Sequence, residues 1–134
     1  MGPGPGGAAL ILRVGADLAV VARVEGLIAT VGEPFLTRTW TEGERAACAD
    51  RPESLAARWA AKEAVLKALG AGVDVIAMTD IEVVDSGDGP RVRLRGGAAQ
   101  RAADAGLTDW ALSLSHDGGM ALAFVVATGD VTVR

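Results

Sequence analysis

Hydrophobic and polar residues follow two rhythms along this chain. Ala9 to Gly15 (ALILRVG) is an apolar, β-leaning run and predicts a strand ending at Gly15-Ala16-Asp17. Leu18 to Val31 (LAVVARVEGLIATV) fits a helix with Arg23 and Glu25 outward, and Gly32-Glu33-Pro34 reads as its end. Thr41-Glu42-Gly43-Glu44 has capping-box spacing and predicts a short helix to about Ala49, broken by Asp50-Arg51-Pro52. Ser54 then caps the strongest helical segment, Leu55 to Leu69 (LAARWAAKEAVLKAL), which Gly70 stops. Beyond it, Thr79 to Asp85 and Arg91 to Arg95 read as a hairpin and Gly97 to Ala105 as a short helix. Trp110 to His116 and Met120 to Thr128 form a second hairpin around Asp117-Gly118-Gly119. This predicts an α+β fold: a mainly antiparallel sheet packed by one long helix.

The long helix has no polar face. At roughly 100° per residue, Ala57, Ala60, Ala61, Ala64 and Ala68 share one side, and Leu55, Trp59, Val65, Leu66 and Leu69 share the other. Arg58, Lys62, Glu63 and Lys67 fall among the large apolar residues. Such a helix is buried, and its charges are costly unless paired or bound to something. One reading is structural: Glu63 and Lys67 form an i,i+4 pair, and Arg58 and Lys62 snorkel. The other makes them ligands.

Composition narrows the chemistry. The 134 residues suit one domain: a flexible Gly/Pro tail over residues 1–9, then a single domain over 10–134. The net charge of −4 and five aromatic residues (three Trp, two Phe) argue against nucleic acid as a partner. No run of about 18 apolar residues predicts a membrane span. The lone Cys48 and the absence of a basic, signal-like start predict a cytoplasmic protein. Ser115, His116 and Asp117 cannot form a triad, because adjacent side chains of an extended segment point to opposite sides. One His and one Cys do not make a zinc site without carboxylates, and no Walker or dinucleotide glycine motif occurs. Oxygen ligands plus cations remain, the donor set of a Mg²⁺–phosphate site. Asp17, at the end of a strand, suits a cleft or the N-cap of the next helix. His116, the single histidine, suits either a structural or a binding role.

Three blocks, in order, resemble a known family. Gly15-Ala16-Asp17-Leu18 with Arg23-Val24-Glu25 is similar to the G-x-D block of the holo-acyl-carrier-protein synthases, the short class of 4'-phosphopantetheinyl transferases. Arg58-Trp59-Ala60-Ala61-Lys62-Glu63-Ala64-Val65-Leu66-Lys67 resembles their W/F-x-x-K-E-A-x-x-K block. Ser113-Leu114-Ser115-His116-Asp117, followed by Ala121 to Val126, resembles their C-terminal S-x-S-H strand pair. Ala19 stands where the longer class carries an extra carboxylate.

The resemblance implies transfer of the phosphopantetheine arm of coenzyme A to a serine of an acyl carrier protein, with release of adenosine 3',5'-bisphosphate. It implies that Asp17 and Glu63 ligate Mg²⁺ with the coenzyme's pyrophosphate and that Lys67 contacts that pyrophosphate. Arg58 and His116 would hold the 3'-phosphate. Glu63 or a metal-bound water would take the serine proton. It also implies a homotrimer with sites shared between neighbours, which would account for a long helix apolar on every side. The first helix carries Arg23 as its one cation besides apolar neighbours such as Val20, Leu27 and Ile28. About two turns beyond Asp17 on the same helix, Arg23 is the expected contact for the carrier. Rival classes are a coenzyme A-binding module, a Mg²⁺-dependent phosphohydrolase and a structural oligomer in which the charges only pair.

Overall fold

A computed structural model describes residues 7–133. The elements in chain order are β1 (Gly7–Val20), α1 (Val21–Val31), α2 (Glu33–Thr39), α3 (Glu42–Cys48) and α4 (Pro52–Leu69). A 3-10 turn (Met78–Asp80), β2 (Ile81–Asp85), β3 (Pro90–Leu94), α5 (Gly96–Asp104), β4 (Asp109–Asp117) and β5 (Met120–Val133) follow. Every strand pair is antiparallel. The strands form a three-stranded sheet, order β1-β5-β4, and a separate β2-β3 hairpin. The α+β expectation holds. Residues 1–6 of the expected tail lie outside the described residues, and Gly7 to Ala9 are already strand.

Two sequence boundaries shift for one reason: proline was read as a breaker, yet it sits in the first turn of α2 and of α4. Proline suits that turn, where its missing N–H has no helical partner anyway. Pro52 therefore starts α4, with Arg51 rather than Ser54 at the N-cap. Pro34 lies in the first turn of α2, a helix the sequence reading did not contain. Phe35 of α2 meets Trp40 and Trp59 edge to face, with centroids 5.3 and 5.8 Å apart. The capping box is present as read: Thr41 Oγ1 accepts from the Glu44 N–H, and the Glu44 carboxylate accepts from the Thr41 N–H.

A third boundary moves because of a distant partner. Leu18 to Val20, expected as helix, extend β1 opposite Leu122 to Met120 of β5. Residues of β5 with odd numbers from Ala121 to Ala127 are buried against α4. The alanine side of α4 lies on them, close enough that a Cβ on Gly15 would fall 1.9 Å from the Ala64 carbonyl oxygen. Only glycine permits that approach of strand to helix.

The helix needs no neighbouring subunit to explain its lack of a polar face, contrary to the sequence expectation. Its own chain encloses it, with β1 and β5 on one side and α1, α3 and β2 around the rest. The unburied apolar surface lies elsewhere, on the outward face of the three-stranded sheet. There Leu10, Leu12, Val14, Leu18, Leu122 and Phe124 are 42–67% exposed. No helix among the described residues is long and apolar enough to cross a membrane.

Candidate functional site

Trp59, Glu63 and Lys67 follow each other at one-turn spacing on α4 and are its unburied strip beyond the first turn. Opposite them stands Asp17. It pairs with Ala123 in the β1–β5 register, and Ala123 is fully buried, so Asp17 shares the sheet face that looks at α4. Gly15 brings that stretch of β1 onto the helix, and Asp17 is the next residue on the same face.

The Lys67 ammonium donates to Asp17 Oδ1 at 3.0 Å and to the Ala16 carbonyl at 2.9 Å. This replaces the i,i+4 pair with Glu63 that the sequence allowed. Asp17 is not an N-cap either: α1 begins behind Val20 without a side-chain cap. Asp17, Arg23, Trp59 and Glu63 line a cleft of about 260 Å³. Arg23 thus faces the same opening as the two carboxylates, from α1 rather than from the helix or strand of Asp17.

Burial pushes the Glu63 carboxyl above its ordinary range, and the Asp17 charge adds to that; the Trp59 side chain and Lys67 act against it. A divalent cation between these carboxylates would relieve their repulsion. Among the described residues no three His, Cys, Asp or Glu side chains gather as a metal site. A pair of carboxylates nevertheless fits Mg²⁺, which is held through one or two carboxylates together with substrate phosphates and water. It does not fit a closed four-ligand zinc centre.

The other expected site residues stand apart from the cleft lining. Arg58 does not snorkel. It is buried and donates to Asp85 Oδ2 at 3.1 Å, while its Nε has no partner among the described residues. His116 lies exposed near the end of β4, opposite Ala121, on the helix-facing side of the sheet. Lys62 does not snorkel either. It is wholly buried, and its ammonium donates to Glu44 Oε1 at 2.6 Å, to the Met78 carbonyl at 3.0 Å and to the Ile81 carbonyl. Burial lowers its pKa from the ordinary lysine value, while Glu44 opposes the shift.

Sequence reasoning gave no role to Glu44 beyond the cap, nor to a second cavity. Phe35, Arg38, Val73, Ala77 and Met78 line a second opening of about 500 Å³ together with Trp59 and Glu63 but without Asp17. The apolar loop Ala71 to Thr79 and the segment Phe35 to Trp40 (FLTRTW) were the available signals, but neither shows by itself which helix it will face.

Known proteins resemble this chain in sequence and in fold. The family model of the 4'-phosphopantetheinyl transferase superfamily matches residues 13–125. A holo-[acyl-carrier-protein] synthase of Herpetosiphon aurantiacus is 44% identical over 127 residues, covering 89% of this chain and all of the relative. The crystal structure of the Helicobacter pylori holo-[acyl-carrier-protein] synthase in complex with coenzyme A is similar at a TM-score of 0.77 and 30% identity. It covers 85% of this chain and 98% of that one. The Bacillus anthracis enzyme in complex with CoA (3',5'-ADP) is similar at 0.72 and 30% identity, covering 90% and 99%.

Proposed function

The chain belongs to the 4'-phosphopantetheinyl transferase superfamily, with the holo-[acyl-carrier-protein] synthases, and from that premise we propose how it moves the arm of coenzyme A to its carrier protein. The observation that carries the proposal is the meeting of two residues of α4 with Asp17 of β1: Glu63 lines one cleft with it, and Lys67 pairs with it from the adjoining groove. Asp17 and Glu63 would hold Mg²⁺ together with the coenzyme's pyrophosphate. The ion supplies charge neutralisation that a protein of net charge −4 lacks.

Lys67, exposed enough to swing from Asp17, meets the pyrophosphate as a point charge. The carrier serine oxygen bonds to the β-phosphorus of the coenzyme. The bond from the β-phosphorus to the oxygen that bridges it to the α-phosphate breaks, and the bridging oxygen leaves with adenosine 3',5'-bisphosphate. Glu63 takes the serine proton, since burial and the nearby Asp17 charge raise its affinity for a proton above that of an ordinary carboxylate.

Arg58 and His116 read the 3'-phosphate. The unpartnered Nε of Arg58 and the exposure of His116 support this. Neither lines the cleft of its own chain, which fits a site shared in a homotrimer closed over the outward apolar face of the sheet. Arg23, which lines the cleft from α1, meets the carrier protein.

The test mixes the protein with apo-carrier, coenzyme A and Mg²⁺ and follows the phosphopantetheine mass increase. Asp17→Asn and Glu63→Gln should each lower the rate by at least ~100-fold with an unchanged circular dichroism spectrum. Near-normal turnover in either variant would overturn the assignment.

A further inference from the structure

We infer that Lys62 is a positioning residue for the transfer: a buried strut that fixes the turn of α4 bearing Glu63 against the segment that lines the second opening. This rests on the assignment of Glu63 to the reaction. Lys62 precedes Glu63 in the chain, yet it points away from the cleft into a wholly buried site. Its three N–H donors are matched by three acceptors on three different elements. Glu44 belongs to α3, Met78 to the 3-10 turn, and Ile81 to β2.

Met78 also lines the cavity that shares Trp59 and Glu63 with the catalytic cleft. The segment before it is held at its two ends, by the Ala71 N–H on the Leu66 carbonyl and by the buried Ile76, while Val73 and Val75 between them are more than 60% exposed. Glu44 completes the strut, accepting from the Val83 N–H at 3.0 Å and from the Thr41 N–H at 3.0 Å.

Stability alone does not account for this arrangement. A well-packed apolar pair of similar volume does as well as a buried ion pair, or better. What an apolar pair lacks is direction: it fills the space without setting one distance between α4, the 3-10 turn and β2. Reaction geometry is sensitive at that scale, since a displacement of about 1 Å can cost about 100-fold in rate.

The experiment compares the full-length enzyme with the double replacement Glu44→Leu/Lys62→Met, using coenzyme A, Mg²⁺ and apo-carrier. The variant should melt cooperatively but earlier than the wild type, because the Thr41 and Val83 N–H groups lose their acceptor; assayed below that temperature, its kcat should fall by about 30- to 100-fold while KM for the carrier stays within about twofold. A variant that is folded at the assay temperature and keeps its kcat would overturn the inference. Should the double variant not fold, Glu44→Gln, assayed below its own melting temperature, is decided by the same two numbers. Glu63→Gln runs alongside. If it keeps full activity, the reading of Glu63 fails, whatever Lys62 does.

Discussion

Two lysines of α4 each pair with a carboxylate from another element, and their surroundings give the pairs opposite roles. Lys62 and Glu44 are both 0% exposed and 2.6 Å apart. Lys67 is 56% and Asp17 23% exposed, 3.0 Å apart. In the first pair every donor is consumed by fixed protein acceptors, so the ammonium cannot leave without stranding a charge in the core. In the second, water shares the ammonium and screens the attraction, so a phosphate can take it over. The same chemistry is a joint where it is buried and an available ligand where it is open. The helix presents both because its residues point around a full circle.

The largest effect that can break this comparison is on stability. Lys62→Ala removes one partner of a buried pair and should cost about 3–5 kcal/mol by urea denaturation. Lys67→Ala, at an exposed pair, should cost at most ~1 kcal/mol. Equal losses would erase the distinction.

Activity should not follow that order once the variants are studied in their folded range, because the open pair then matters as much as the buried one. Lys67→Met removes a charge-assisted contact worth roughly 1.5–3 kcal/mol, so transfer should slow by about 10- to 100-fold in the mass-shift assay. A sharper version reads the metal directly. With the ammonium gone from Asp17, calorimetric titration should show Lys67→Met binding Mg²⁺ more tightly than the wild type in the absence of coenzyme. Unchanged or weaker binding would mean that Lys67 does not compete for Asp17.

The smallest effect concerns the unpaired carboxylate. The folded pKa of Glu63 lies above its ordinary 4.5, so the folded protein binds this proton more readily than the unfolded chain. The stability that comes with the neutral form is present below the unfolded value and is lost as pH rises through the folded pKa. Glu63→Gln removes that loss. Without Mg²⁺ it should be slightly more stable than the wild type near pH 7, and the two melting temperatures should converge as pH falls toward 4.5. A Gln variant that is less stable at neutral pH would contradict the repulsion argued for this cleft.

Much of the fold was legible because its causes are local. The Thr41/Glu44 box, the Gly70 stop with its left-handed φ of 68° and the turn at Asp117-Gly118-Gly119 each depend on residues within a turn of one another. Pro34 and Pro52 were equally local but ambiguous: the same ring ends one helix and starts the next, and the flanking residues do not say which. The end of β1 was not local at all. Leu18 to Val20 suit a helix by themselves and become strand because β5 offers them a partner 100 to 104 positions later.

The candidate site divides along the same line. The sequence by itself determined that Glu63 and Lys67 lie one turn apart on one helix, since helical spacing alone puts them there, and that Gly15 and Asp17 stand together at the end of one strand. The tertiary structure alone decided that Lys67 reaches Asp17 across 50 positions of chain and leaves Glu63 without its expected partner. It also decided that Lys62 is interred on Glu44 and that Arg58 is held by Asp85. Spacing fixes the direction in which a side chain leaves its helix. Which charge it meets, and how much water remains between them, depends on the elements that pack against that face, and so on the whole chain at once.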